Sequence, residues 1–208
     1  MIAKDTKRLV VLISGGGSNL QAIIDAISTG HLKQVEIALV VSNRAKALGL
    51  DRAKLANIPT LYFPLKPFLN RNLGRNAYDA ELANLIVAQQ PDLIVCAGWM
   101  HILNQAFVEQ FAGQIINLHP ALPGVLPGKD SLTASFLAAQ RGEPIPTGCM
   151  VHMVVPEVDA GRVVDMEYSA YVAGDTLEIF SERMHATERR LLVRAIPKAL
   201  AELSSHIS

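Results

Sequence analysis

Leu9-Val10-Val11-Leu12-Ile13-Ser14-Gly15-Gly16-Gly17-Ser18-Asn19-Leu20 is the stretch that decides the fold. Its first five residues form an unbroken apolar run, the mark of a strand buried on both faces of a parallel sheet. Glycine breaks the strand, and Leu20, Ile23, Ile24 and Ile27 then recur at helical spacing until Gly30 offers a stop. Strand, glycine loop and helix in that order aim backbone N–H groups and a helix N-terminus at one point, where an anion can be held. A tight turn alone also calls for glycine, but three in a row flanked by Ser18 and Asn19 exceed what a turn requires. A dinucleotide fingerprint does not fit: Leu20 stands where its third glycine belongs. The second strand, Val35 to Val41, closes on Ser42-Asn43 and not on an acid. No Gly-Lys-Ser/Thr follows the loop either, so a single phosphate monoester is the anion it suits.

Working outward, Leu48 to Ala56 reads as a short helix and Pro59 to Phe63 as an extended segment. Arg75 opens a helix with Tyr78, Leu82, Leu85 and Ile86 on one face, and Pro91 ends it. Leu93 to Ala97 is the next buried strand. It leads into Gly98-Trp99-Met100-His101-Ile102-Leu103, where the chain's single tryptophan takes the position of a pocket wall. A helix over Ala106 to Phe111 precedes Gly113, and Leu132, Phe136 and Leu137 mark another that ends near Gly142. Cys149 to Val155 reads as a strand in which His152 is structural, and Glu157 to Gly161 as a turn. Val164, Met166, Tyr168 and Ala170 alternate as a late strand. Asp175 and Glu178 form a capping box for a long last helix that Pro197 starts anew or kinks. The order predicts an α/β fold: a Rossmann-like, doubly wound, mostly parallel sheet with late antiparallel strands. It is expected as a single domain over 1–208, with halves of about 1–110 and 111–208.

Ile115-Ile116-Asn117-Leu118-His119-Pro120 carries the second signal. Side chains alternate along a strand, so Asn117 and His119 share a face just where Pro120 stops the strand. In open α/β sheets ligands bind at the carboxyl ends of the strands. Two readings stand: strand-end residues satisfied by local hydrogen bonds, or an amide and an imidazole set out for acid–base and oxyanion work.

The 208 residues carry equal numbers of acids and bases and are 50% apolar, which gives a large core and argues against broad binding to nucleic acid. Met1 to Arg8 is polar and the apolar run after it is too short for a signal peptide or a membrane span. Cys96 and Cys149 belong to no paired motif, and the six histidines show no metal spacing, so no metal is expected. Buried thiols in a reducing cytoplasm fit that pattern.

Ile13 to Leu20, Ile116-Asn117-Leu118-His119-Pro120-Ala121-Leu122 and Asp159-Ala160-Gly161 together resemble the folate-dependent formyltransferases, and among them the phosphoribosylglycinamide (GAR) formyltransferases of purine biosynthesis. The resemblance runs from about Leu9 into the last helix. It implies transfer of a formyl group from 10-formyltetrahydrofolate, as co-substrate, to the amine of glycinamide ribonucleotide. It also implies a monomer or homodimer working in the cytoplasm. Asn117, His119 and Asp159 match the family's catalytic residues. Gly16, Gly17, Ser18 and Asn19 match its phosphate contacts, and Glu188 a ribose contact. Arg75, Met100, His101, Ile102, Leu103 and Asn117 match its folate contacts. In such a site Asp159 would raise the pKa of a protonated His119 that stabilises the oxyanion. His101 stands where some bacterial relatives have arginine, and the Pro120–Gly128 loop differs from the commoner form, so loop packing is expected to change and the chemistry is not. Two alternatives remain: a 10-formyltetrahydrofolate hydrolase using the same trio, and a non-catalytic folate- or nucleotide-binding module.

Overall fold

The computed structural model describes residues 6–126, 128 and 130–205; Pro127 and Lys129, in the Pro120–Gly128 region and just after it, lie outside them. A seven-stranded sheet runs in the order β3-β2-β1-β4-β5-β6-β7. Its strands are β1 Lys7–Ile13, β2 Val35–Ser42, β3 Thr60–Tyr62, β4 Leu93–Cys96, β5 Ile115–His119, β6 Gly148–Met153 and β7 Val163–Tyr168. The first five pair in parallel, while β6 is antiparallel to both β5 and β7. The expected mostly parallel sheet with late antiparallel strands is what forms.

Helices cover both faces: α1 Ser18–Ser28, α2 Leu48–Leu55, α3 Lys66–Asn70, α4 Gly74–Val87, α5 Gln105–Gln110, α6 Ser131–Gln140 and α7 Leu177–Ser205. Alternation along β1 explains its continuous apolar run. Leu9, Val11 and Ile13 pack into one core with α1 and α7, and Val10 and Leu12 into a second with Tyr78, Leu82 and Ile86 of α4. Each such side chain, fully buried, contributes roughly 1.5–3 kcal/mol, so an interrupted pattern in β1 would weaken both layers.

Three local features differ from the sequence reading. Helix α3 was not expected; its Pro67 in the first turn starts it in a stretch without a long apolar period. The Asp175/Glu178 capping box does not form. Thr176 caps instead, its Oγ1 accepting the Ile179 N–H at 3.3 Å, because the Asp175 carboxylate is held by the Val172 N–H and by Arg183. Pro197 sits inside one continuous α7 and does not start a new helix.

The topology fixes where a ligand can go. From β1 the chain winds outward through β2 to β3, then crosses back to place β4 on the other side of β1. That reversal opens a crevice at the carboxyl ends of β1 and β4. The glycine loop leaves β1 there, the Gly98–Leu103 segment leaves β4, and β5 next door ends in His119.

Candidate active site

Strand β5 supplies the base of the site. Asn117 lies directly opposite His152 of β6 in the antiparallel register, and His119, two residues on, shares their face. The Asn117 Nδ2 is 3.2 Å from His152 Nε2 and 3.4 Å from Asp159 Oδ1. The other carboxylate oxygen of Asp159 lies 3.4 Å from His119 Nδ1 and accepts the Gly128 N–H at 2.9 Å. Asp159 reaches in from the β6–β7 turn with a φ of 54°, a conformation an L-residue adopts at a cost and one that is common where a side chain must be aimed. Gly161 completes the turn, since a Cβ there would overlap the Met153 carbonyl. The three residues picked out by the resemblance are thus brought together.

His152 was read as structural, and the fold makes it the fourth member of the cluster. Its Nδ1 donates to the Met153 carbonyl at 2.9 Å, and its Nε2 lies 3.2 Å from Asn117 Nδ2 and 3.4 Å from Asp159 Oδ1. The signal that could have found it is the cross-strand register, which no single strand reveals.

Charge in the cluster departs from the sequence expectation. Burial pushes the His119 pKa below the ordinary imidazole value, and the Asp159 charge and the Leu126 carbonyl, 3.3 Å from Nε2, oppose it without prevailing. The expected rise does not occur, because His119 is only 4% exposed and an imidazolium there loses its hydration. His119 is therefore mainly neutral at pH 7. Asp159 goes the other way. Burial works to raise its pKa, but His152, the Gly128 N–H and the charge of His119 together hold it below the usual carboxylate value.

The glycine loop lies at the end of β1. Gly17 takes a φ of 71° as the residue before α1, and no side chain caps the helix. The N–H groups of Gly16, Gly17, Ser18 and Asn19 make no hydrogen bonds among the described residues, and no acid sits in the first turn. Gly17 and Gly49 of α2 nearly touch: a Cβ on Gly17 would come 2.5 Å from the Gly49 Cα. The loop is further tied to α2 by the Gly49 N–H to the Gly15 carbonyl at 3.2 Å and by Arg52 Nε to the Gly16 carbonyl at 2.9 Å. Glu188, 5% exposed on α7, faces this corner: its Oε2 lies 3.4 Å from Asn19 Nδ2 and 2.9 Å from His185 Nδ1. The Asn19 Oδ1 is buried without a hydrogen-bond partner among the described residues.

Beside the cluster lies a cavity of about 470 Å³, lined by Trp99, Met100, His101, Ile102 and Leu103 on one side and by Val154 to Asp159 on the other, with Asn117, His119 and His152 at its base. Trp99 is the pocket wall its position suggested. Arg75 is not: it is exposed in the first turn of α4 and does not line the cavity. His101 lines the cavity, yet its imidazole turns inward to Asp79, with Nε2 2.6 Å from Oδ1. An apolar slot with a few polar groups at its base suits a flat heterocycle.

The formyl transferase family is matched over residues 7–196. The phosphoribosylglycinamide formyltransferase of Schizosaccharomyces pombe (strain 972 / ATCC 24843) is 46% identical over 201 residues, covering 93% of this chain and 97% of that protein. The protein of that name from Dictyostelium discoideum is 44% identical over 200 residues, covering 92% and 97%. Among solved structures, glycinamide ribonucleotide transformylase 1 from Symbiobacterium toebii is similar with a TM-score of 0.84 at 34% identity, covering 93% of this chain and 87% of that one. The phosphoribosylglycinamide formyltransferase of Coxiella burnetii gives 0.82 at 38% identity, covering 91% and 85%. A match over nearly the whole chain, on a fold that gathers Asn117, His119 and Asp159 beside the glycine loop, leaves one conclusion: the chain belongs to the formyl transferase family.

Proposed function

We propose that this enzyme transfers the formyl group of 10-formyltetrahydrofolate to the amine of glycinamide ribonucleotide, a step of purine biosynthesis. The observation that carries the reading is that an uncapped glycine loop and the Asn117–His119–Asp159 cluster open onto one edge of one sheet. The phosphate rests on the N–H groups of Gly16, Gly17, Ser18 and Asn19, and buried Glu188 accepts from a ribose hydroxyl. The folate heterocycle lies in the apolar cavity along Met100 to Leu103. Arg75, exposed outside the cavity, meets at most the distal part of the folate. The reaction takes place in the cytoplasm, in keeping with free buried Cys96 and Cys149, whose thiols burial pushes up to about 12.

The charge state of His119 assigns the proton path. The neutral amine attacks the formyl carbon, the carbonyl electrons move to oxygen, and the nitrogen becomes positive. Neutral His119 takes a proton from that nitrogen. The resulting imidazolium is stabilised by Asp159 and by the oxyanion. Asn117 turns its amide hydrogens, held by long contacts of 3.2 and 3.4 Å, to the oxyanion. One such donor is worth roughly a hundred- to a thousandfold in rate. Collapse expels the folate nitrogen, which takes the proton back from His119, giving the formamide and tetrahydrofolate.

A steady-state assay with both substrates, and a control without the amine, tests the reading. Turnover that requires the amine is expected. Formate released without it would make the protein a hydrolase, and no reaction in either would leave a binding module.

A base that must be neutral also sets the pH profile. Because the His119 pKa is lowered, the acid limb of kcat/KM should have its midpoint below the usual imidazole value of about 6.5. Asp159→Asn removes the main charge favouring the imidazolium and should move that midpoint further down while lowering the plateau. Activity that instead falls as pH rises through the imidazole range would show that protonated His119 is the working form.

A further inference from the structure

The mechanism makes no use of the buried pair formed by Asp79 and His101, which are 1% and 7% exposed. Burying a carboxylate is costly unless donors surround it, and Asp79 has two. Oδ1 meets His101 Nε2 at 2.6 Å and Oδ2 accepts the Asn104 N–H at 2.9 Å. From the preceding turn of α4, the Asn76 Oδ1 accepts from Asn104 Nδ2 at 3.1 Å. Tyr78 packs edge-on against the His101 ring with centroids 5.1 Å apart. These three polar contacts from α4 land on His101, in the cavity wall, and on Asn104, just after it.

The segment is fixed at its other end too. The Met100 N–H donates to Ser14 Oγ at 2.8 Å, and that hydroxyl donates to Asn43. Between these anchors the chain bends at His101 and runs outside any strand, with His101 and Leu103 buried and Met100 and Ile102 60% and 64% exposed. The backbone N–H and C=O groups of His101, Ile102 and Leu103 make no hydrogen bonds among the described residues. Such a segment offers free backbone donors and acceptors to a flat polar ring. It does so only while the chain is held in one conformation, because free rotation of those groups would have to be frozen on binding.

We infer that Asp79 and His101 are positioning residues for the formyl donor: their buried contact locks the Met100–Leu103 edge in the conformation that binds the folate ring. The inference rests on the formyl-transfer reading above. It assigns the His101 side chain a role through Asp79.

The test compares His101→Gln, His101→Phe and Asp79→Asn with the wild type. Glutamine puts an N–H donor where Nε2 stands, phenylalanine keeps the ring packing and loses the donor, and Asp79→Asn sets an amide N–H against one of the two donors. Tetrahydrofolate binding is read by calorimetric titration, alongside KM for each substrate and kcat. His101→Phe and Asp79→Asn should weaken tetrahydrofolate binding and raise the donor KM by about tenfold or more, with glycinamide ribonucleotide affinity within about twofold and kcat at saturating donor within about threefold. His101→Gln should restore donor affinity to within about threefold. Wild-type donor affinity in His101→Phe would overturn the lock, since packing alone would then suffice, and so would equal losses for both substrates. If Asp79→Asn fails to fold, the contrast between the two His101 variants decides. Normal wild-type transfer with unaffected variants removes this inference alone. A wild type that neither binds tetrahydrofolate nor transfers removes the functional reading, and the lock with it.

Discussion

His119→Ala should lower kcat by about a thousandfold while leaving glycinamide ribonucleotide affinity within about twofold. The size follows from the two tasks given to one imidazole. It accepts the amine proton and returns it to the leaving nitrogen, and between those events its charge faces the oxyanion. A positioned general base alone is worth roughly a hundred- to ten-thousandfold. Affinity should survive because the groups assigned to the ribonucleotide, the glycine loop and Glu188, belong to other elements. Stability should change little. The ring is buried, but its two polar contacts are long, at 3.3 and 3.4 Å, and a buried imidazole that stays neutral contributes no charge pairing to lose. Rapid-quench measurement of a single turnover, together with a binding titration, checks both halves. A loss of only about tenfold would pass the proton to Asp159 through water. Equal losses in binding and turnover would remove the base role altogether.

How much of this was legible beforehand depended on whether the information is local. The β1–loop–α1 unit was readable because strand, glycine break and helical period all lie within one stretch, and each points the same way. Asn117 and His119 were readable from alternation along β5. Asp159 is not encoded by any period. Its carboxylate enters the cluster through a left-handed turn, and only the resemblance pointed to it. His152 was missed because its partner is set by the register of β5 on β6, a tertiary fact. Asp79 left a trace that went unread: it shares the apolar face of α4 with Leu82 and Ile86, three and seven residues on, where an acid needs a buried partner. The direction of the His119 shift was misjudged for a related reason. Sequence names the charged neighbour and says nothing of how completely the fold excludes water.

Gly17→Ala should raise the dissociation constant for glycinamide ribonucleotide by about thirtyfold or more while donor affinity stays within about twofold. Two physical terms act together. The residue holds a φ of 71°, which costs an L-residue roughly 1–2 kcal/mol. The new Cβ would also stand 2.5 Å from the Gly49 Cα and 3.2 Å from the Gly49 N. Both neighbours are backbone, so no side chain can swing aside, and either the loop or the start of α2 must shift. Relief by moving α2 is opposed from below, since Gly49 itself packs against Ile13 of β1. The loop therefore yields, and its N–H groups lose the common focus that holds a phosphate. Gly15→Ala is the contrast: its Cβ would meet nothing within 4 Å and its φ is not in the left-handed region, so affinity within about threefold is expected. Competition by inorganic phosphate against the ribonucleotide reads the same site without any chemistry, and should fade in Gly17→Ala. Unchanged phosphate competition in a folded Gly17→Ala protein would mean that the anion is held elsewhere. Taken with His119→Ala, the two variants separate the functions the sheet edge brings together, one failing in turnover with binding intact and the other in binding of a single substrate.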